Sequence, residues 1–161
     1  MTPPVSPVLL SSDRMDWATP DSLFHPLDAE FGFTLDAAAS ADNARCTSFL
    51  DAASDGLRAD WSELAQSGSV WVNPPYGREI GAWVDKAAAE YHVNGCSVVM
   101  LVPARPDTKW WNRSAVRAAE IRFLRGRVRF VGAESCAPFP SALLIFDRRY
   151  HRPCMNWMDT P

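Results

Sequence analysis

The stretch CSVVMLVPA, residues 96–104, limits the possible folds more than any other part of the sequence. Its apolar side chains follow one another without the polar alternation of a half-exposed strand, which is typical of a strand covered on both faces. Residues 79–95, just before it, carry apolar side chains at helical spacing and end in a glycine. That pattern predicts a helix. A helix followed by a doubly covered strand indicates an α/β fold.

Helical and extended patterns alternate along the rest of the chain as well. The predicted elements are helices at 21–32, 79–95 and 107–120, and strands within 33–40, 69–72, 96–104, 121–131 and, as the last strand, 141–147. Asp21 is the candidate N-cap of the first helix, and Gly32 is its predicted end. We therefore predict one small α/β domain over residues 16–161, with a mostly parallel sheet flanked by helices. The proline-rich residues 1–15 are predicted to form a flexible arm.

Composition excludes several classes of protein. No apolar run approaches the roughly 20 residues that span a bilayer, and the first residues lack a basic signal-peptide region. The four cysteines lie far apart without a C-x-x-C pair. This spacing predicts free thiols in a reducing compartment and no metal site. We therefore expect a cytoplasmic protein with neither a membrane segment nor a metal ion.

The charge is distributed unevenly along the chain. Residues 1–104 contain 5 Lys/Arg and 14 Asp/Glu, a balance of −9, whereas residues 105–161 contain 11 and 5, a balance of +6. A basic second part is typical of a protein that binds a polyanion. A solvated strand face is the alternative, because the arginines of the densest segment partly alternate with apolar residues. The candidate nucleic-acid contacts are Arg105, Arg122, Arg125, Arg127 and Arg129.

The tetrapeptide NPPY, residues 73–76, follows a predicted strand. Proline fixes φ and has no N–H, so these residues predict a stiff loop. The Asn73 side-chain oxygen and the Pro74 carbonyl are two acceptors that can take both hydrogens of one amino group. Hydrogen bonds in that geometry localise the nitrogen lone pair, while Tyr76 can stack on a ring that carries the amine. Asn73, Pro74, Pro75 and Tyr76 are therefore the candidate catalytic clamp for a planar amine, with an ordinary proline-rich connector as the alternative.

Several further segments accompany this tetrapeptide: DWATP, FGFTLDAAASADNARC, VWVNPPYG, MLVPARPDTKWW, IRFLRGRVRF and APFPSALLIF. Together they resemble the small phage-type DNA N-6-adenine methyltransferases over roughly residues 16–146. The resemblance implies a Rossmann-like fold and S-adenosylmethionine as cofactor. It also implies methyl transfer to N-6 of adenine at specific sites in double-stranded DNA, within a bacterial host cell if the protein is phage-encoded.

The resemblance also implies which residues bind the cofactor. The segment WATP is similar to the part of the family that lies over the methionine moiety, and LDAAAS occupies the place of the loop after the first strand. Asp55 stands where relatives have a carboxylate near the cofactor adenine. The implied cofactor-binding residues are Trp17, Thr19, Pro20, Asp36, Ala37, Ala38, Ser40 and Asp55. No acidic residue after a second strand is evident for the ribose hydroxyls.

Other functions fit the same clamp. A glutamine side chain in a protein and an adenine in RNA both present an amine of this kind. A third alternative is a DNA-binding relative that keeps the fold without activity, although a binding module has no need of an amine-specific loop.

Overall fold

The computed structural model describes residues 17–150 and 154–160. In chain order its elements are α1 Asp21–Phe31, β1 Phe33–Asp36, β2 Ser48–Phe49, α2 Trp61–Ala65, β3 Ser69–Val72, α3 Ile80–Asn94, β4 Val98–Pro103, α4 Lys109–Arg113, β5 Glu120–Arg125, β6 Ser141–Phe146 and β7 Cys154–Asp159. The protein is therefore a mixed α/β structure, with helices packed against a seven-stranded sheet.

The strands lie in the order β2-β1-β3-β4-β6-β5-β7. Pairing is parallel from β2 to β4 and between β5 and β7, whereas β6 runs antiparallel to β4 and β5. β5 therefore points in the same direction as β4. The loops after β1, β2, β3, β4 and β5 all leave the sheet at one edge, which we call the carboxyl edge. Ligand sites in open α/β sheets lie at this edge.

Helices cover both faces of the sheet. On one face, α3 and α2 pack against a core that includes Trp61, Trp83 and Ile121. On the other face, α1 packs against a core that includes Phe24 and Trp71. All six residues of β4 are buried, which confirms the doubly covered strand expected from its uninterrupted apolar run.

The helices match the sequence patterns only in part. Gly32 and Gly95 end α1 and α3 in the left-handed conformation, as predicted for helix-ending glycines. Asp21 was the wrong N-cap, because Pro20 holds that position with extended backbone angles and Asp21 is the first helical residue. The helix predicted over 107–120 is wrong in length: α4 stops at Arg113 and a 3₁₀ turn follows at Ala115–Arg117. At this break the Ser114 hydroxyl donates a hydrogen bond to the Asp85 carboxylate of α3. This contact between two helices takes the place of a continued α4.

Three elements were not expected from sequence. β2 has only two residues, α2 has five, and β7 follows the strand that was predicted to be the last. Short elements give too few residues for a periodic pattern, and in β7 five of six residues are exposed, so no buried face appears in its sequence. The predicted arm, residues 1–15, lies outside the described residues.

Candidate active site

A cavity of about 690 Å³ opens at the carboxyl edge. Its walls come from residues 17–19, from the loops after β1, β2 and β3, and from the start of α3. The lining residues are Trp17, Ala18, Thr19, Asp36, Ala38, Ala39, Ser40, Asn43, Arg45, Leu50, Asp51, Ala52, Ala53, Asp55, Gly56, Leu57, Trp71, Asn73, Pro75, Glu79 and Trp83. Its volume is that of a small-molecule or cofactor site.

The Asn73 side chain is held in one orientation. Its Nδ2 donates to the Trp17 carbonyl oxygen at 2.6 Å, and its Oδ1 accepts from the Tyr76 hydroxyl at 2.9 Å. A carbonyl oxygen can only accept, so the amino side of the amide must face Trp17. Oδ1 is thereby fixed on the opposite side as an acceptor. No described backbone N–H donates to the neighbouring Pro74 carbonyl, so this second acceptor of the predicted clamp has no backbone donor among the described residues.

Tyr76 is anchored in the interior by its hydroxyl end. The hydroxyl oxygen lies 3.2 Å from the Leu101 carbonyl oxygen as well as near Asn73. Edge-to-face contacts with Phe130 and Phe139, at centroid distances of 6.1 and 5.6 Å, hold the ring. Burial raises the pKa of Tyr76 well above its ordinary value. The hydroxyl is therefore protonated at every pH at which the protein would work.

Residues 17–20, which we call the strap, cross one side of the cavity. The Ala18 carbonyl accepts from the Val131 N–H at 3.0 Å, and the Trp17 ring packs on Phe130. The Arg45 guanidinium donates to the Thr19 carbonyl and to the Asp21 carboxylate just beyond the strap. The strap is thus tied to the loop after β1, to the loop after β5 and, through Asn73, to the NPPY loop after β3.

Asp36 shapes the loop after β1. Its side chain is almost fully buried and accepts from the Ala38 and Arg45 backbone N–H groups at 3.3 and 2.9 Å. Burial raises its pKa to about 6 from 3.8, against the smaller lowering effect of these hydrogen bonds. The Asp36 carboxylate therefore orders the cavity wall through these two hydrogen bonds, and its burial makes it harder to ionise.

This raised pKa predicts a pH dependence of stability. Between about pH 4 and 6 the native state binds more protons at Asp36 than the unfolded chain, so the free energy of unfolding should fall as pH rises through this window. A shift of this size corresponds to about 2–3 kcal/mol. Urea unfolding at several pH values should show this fall in the wild type and not in Asp36→Asn, whose amide does not titrate. Parallel curves for the two proteins would show that Asp36 does not titrate in this range.

Asp51 and Asp55 line another part of the cavity wall. Asp51 stands two residues after β2, and its Oδ1 accepts from the Ser54 hydroxyl and from two backbone N–H groups. Asp55 adopts a positive φ of 47°, and Gly56 follows it. A Cβ on Gly56 would lie 2.4 Å from the Ala37 carbonyl oxygen. Only glycine lets this wall approach the loop after β1 so closely.

Unpartnered polar atoms are concentrated around the cavity. Within residues 17–150 and 154–160, five buried side-chain N or O atoms have no hydrogen-bond partner, and four of them belong to lining residues. Those four are Thr19 Oγ1, Arg45 Nε, Trp71 Nε1 and Trp83 Nε1. Buried polar groups are normally satisfied, so a cluster of exceptions at a cavity indicates a site for a polar ligand.

The structure gathers most of the sequence-predicted site residues around this cavity. Trp17, Thr19, Asp36, Ala38, Ser40, Asp55, Asn73 and Pro75 line it. The other four predicted catalytic or cofactor residues do not line the cavity, although each is a chain neighbour of a lining residue: Pro20, Ala37, Pro74 and Tyr76. Sequence reasoning missed Arg45, Asp51, Trp71 and Trp83 as lining residues. Asp51 gave no signal in the sequence, because it follows the two-residue strand β2, which is too short to show a pattern.

The predicted basic cluster is divided by the fold. Arg122 is only 14% exposed, and its guanidinium pairs with Glu30 and Glu120 at 2.6 and 2.9 Å. Arg125 is exposed but lies 3.6 Å from Asp159. The remaining three predicted contacts, Arg105, Arg127 and Arg129, are exposed in loops at the carboxyl edge. Arg122 and Glu120 are two residues apart on β5 and therefore face the same side of the sheet. Arg122 thus belongs to an internal ion-pair network with Glu120 and Glu30.

The described part of the chain contains neither a membrane-spanning helix nor a group of metal ligands. Each helix there is too short or too polar to span a bilayer. Over residues 17–150 and 154–160, no three His, Cys, Asp or Glu side chains are grouped so that they could hold a metal ion.

A mixed α/β sheet with a cavity of this size at its carboxyl edge is compatible with the methyltransferase class of enzymes. A family model described as DNA N-6-adenine-methyltransferase (Dam) matches residues 7–159. The chain belongs to this family.

Individual relatives agree with the family. A DNA N-6-adenine-methyltransferase of Haemophilus phage HP1 is 32% identical over 127 residues, which are 77% of this chain and 70% of that protein. A protein of the same name from Escherichia phage T1 is 35% identical over 106 residues, 65% of this chain and 42% of its own length. The putative methyltransferase YfdM of Escherichia coli is 43% identical over 63 residues, 37% of this chain and 69% of its own.

Proposed function

We propose that the protein transfers a methyl group from S-adenosylmethionine to N-6 of adenine in DNA. The observation that carries the proposal is the oriented Asn73 amide, which lines the cavity and is followed directly by Pro74 in the chain. Membership of the DNA N-6-adenine-methyltransferase family supports the choice of adenine in DNA. We further propose that the sheet is that of a Rossmann-like methyltransferase domain covering residues 16–161, acting in the cytoplasm of a bacterial host.

The chemistry follows from the two acceptors. The exocyclic amine of adenine is a weak nucleophile because its lone pair is delocalised into the ring. When Asn73 Oδ1 and the Pro74 carbonyl each accept one hydrogen, the nitrogen moves toward tetrahedral geometry and the lone pair is localised. Neither acceptor can act as a base at neutral pH, so the proton leaves to solvent after the amine has attacked. The stiff loop holds this geometry before the target arrives, which avoids reorganisation during the reaction.

The residues around the cavity fit S-adenosylmethionine. Three of the unpartnered atoms, on Arg45, Trp71 and Trp83, are N–H donors, and the cofactor offers a carboxylate and ring nitrogens as acceptors. Asp51 offers a carboxylate for the ribose hydroxyls, and the strap would cover the methionine part. When bound, the cofactor supplies an electrophilic methyl group. The protein's own contribution is to hold the acceptor loop against the cavity and to exclude water by the packing of the strap.

The proposal is tested by product identification. The purified protein is incubated with labelled S-adenosylmethionine and, in separate reactions, with unmethylated double-stranded DNA, RNA of the same sequence, and a glutamine-containing peptide. Label recovered in N-6-methyl-2′-deoxyadenosine from DNA is the expected result. Label only in RNA or peptide would support one of the alternative substrates, and cofactor binding without transfer to any of the three would support an inactive relative.

The exposed arginines of the carboxyl edge predict how DNA binding depends on salt. We expect Arg105, Arg127 and Arg129 to contact phosphates, because they are exposed in loops at the same end of the sheet as the cavity and no described carboxylate pairs with them. Each phosphate contact contributes about 0.9 to the slope of log K against log salt. Replacing Arg127 and Arg129 with alanine should therefore reduce that slope by about 2 in a fluorescence anisotropy titration.

Arg148→Ala is the matched control for this measurement. Arg148 is an exposed arginine that follows the antiparallel strand β6, so it lies at the opposite edge of the sheet. Its replacement should leave the salt slope unchanged. An equal decrease in slope for Arg148 and for the Arg127 and Arg129 pair would contradict a DNA interface at the carboxyl edge.

A further inference from the structure

Tyr76 has a feature that base stacking does not explain. Its hydroxyl oxygen lies 2.9 Å from Asn73 Oδ1 and 3.2 Å from the Leu101 carbonyl oxygen. Both neighbours are acceptors, and a phenol has a single hydrogen to donate. The hydroxyl can therefore bond well to only one of them at a time. A stacking ring needs no hydroxyl, so this buried polar contact calls for a separate explanation.

The groups around this hydroxyl hold their heavy atoms in place. The Asn73 amide is tethered at its other end by the bond from Nδ2 to the Trp17 carbonyl. The Tyr76 ring is held between the edges of Phe130 and Phe139, and Leu101 belongs to the buried central strand β4. Turning the O–H bond alone is enough to change its acceptor from Asn73 to Leu101. No side chain has to move.

We propose that the Tyr76 hydroxyl is a positioning group for Asn73 and takes the place of the target amine in the empty site. It donates to Asn73 Oδ1 when no base is present, so this acceptor is not left unsatisfied. When the amine arrives, the hydroxyl turns to the Leu101 carbonyl and Oδ1 accepts a hydrogen of the amine. No proton is transferred in this exchange. The inference rests on the proposed function, because it assigns Tyr76 a second task at the same clamp.

Tyr76→Phe isolates the hydroxyl, since it keeps the ring. We expect DNA that carries the target adenine to bind about 3- to 10-fold more tightly, the scale of one hydrogen bond, because the amine no longer has to displace the hydroxyl from Asn73 Oδ1. kcat at saturating DNA should be nearly unchanged, since the hydroxyl has already turned to Leu101 when the amine is bound. Fluorescence anisotropy measures the dissociation constant, and single-turnover kinetics measure the rate. Tyr91→Phe is the matched control, because Tyr91 lies on α3 and packs against Phe146.

A double variant tests whether the hydroxyl acts through Asn73. In an Asn73→Ala background, Tyr76→Phe should not tighten the binding of target DNA, because the acceptor for which the hydroxyl and the amine compete is already absent. The same tightening in that background would overturn the proposal, and so would a Tyr76→Phe protein that binds target DNA with the wild-type dissociation constant.

The contact can also be measured without turnover. The Asn73 side-chain amide resonances in the NMR spectrum should shift in Tyr76→Phe and not in Tyr91→Phe, and unchanged resonances would overturn the contact. If the resonances shift while the wild type transfers no methyl group to DNA, the proposed function fails and the contact stands. If the wild type is active and Tyr76→Phe behaves like Tyr91→Phe, only the inference about the hydroxyl fails.

Discussion

Replacing Asn73 with alanine is expected to lower the turnover number on the order of 10²–10³-fold, the usual loss when one preorganised hydrogen-bonding group is removed from an active site. The target amine would keep the Pro74 carbonyl but lose the acceptor that localises its lone pair. Affinity for S-adenosylmethionine should change by less than about tenfold. The strap would lose the bond from Nδ2 but keep those from Val131 and Arg45. Single-turnover kinetics and calorimetry measure the two quantities separately.

Asn73→Asp is the matched variant. It keeps an acceptor for the amine, so its turnover at saturating cofactor should exceed that of Asn73→Ala. It also sets a carboxylate oxygen against the Trp17 carbonyl in place of the present 2.6 Å hydrogen bond. Cofactor affinity should therefore fall about tenfold in the aspartate variant. Methyl transfer by Asn73→Ala at the wild-type rate would show that the loop is not a clamp.

Replacing Arg45 with methionine is expected to weaken cofactor binding about 10- to 100-fold. Methionine keeps an unbranched apolar stem but removes the charged donors to the Thr19 carbonyl and to Asp21. Hydrogen bonds to charged groups contribute about 1.5–3 kcal/mol, and the Thr19 carbonyl would be left without this donor. The variant should bind S-adenosylmethionine poorly in calorimetry while its turnover at saturating cofactor stays near that of the wild type.

Arg58→Met makes the same chemical change in a neighbouring loop. The Arg58 side chain is 89% exposed, and its ion pair is with Asp55 three residues earlier. Exposed pairs of this kind contribute little, so the cofactor affinity of Arg58→Met should equal that of the wild type. Equal losses in both variants would indicate a general charge effect and would contradict the role of Arg45 in holding the strap.

Long elements of this fold could be predicted from sequence because each has its own repeating pattern. The helix α3 shows apolar residues at helical spacing and ends at Gly95. The strand β4 shows an unbroken apolar run. The two-residue strand β2 has no such pattern. It exists because β1 provides a partner with free backbone groups, and this is a property of the assembled sheet.

The candidate site divides in the same way. The residues of the NPPY loop could be predicted because proline stiffness, an amide and an aromatic ring follow one another directly in the chain. Asp51 was missed because its meaning depends on β2. Arg45 was missed because the carbonyl that it binds, at Thr19, lies 26 residues away in sequence. A contact of that range leaves no local pattern.

The sequence by itself determined the α/β class, the stiff acceptor loop and the family, because these depend on residue types at short and regular spacing. Only the tertiary structure decided how those residues are used. The fold places the Trp17 carbonyl beside the Asn73 amide and thereby orients that amide. It also places the Tyr76 hydroxyl next to the carbonyl of Leu101 in the buried strand β4. It also removed Arg122 from the basic surface by bringing Glu30, 92 residues away, into contact with it. Side-chain orientation depends on partners that chain folding brings together from distant positions, and a linear pattern carries no information on those distances.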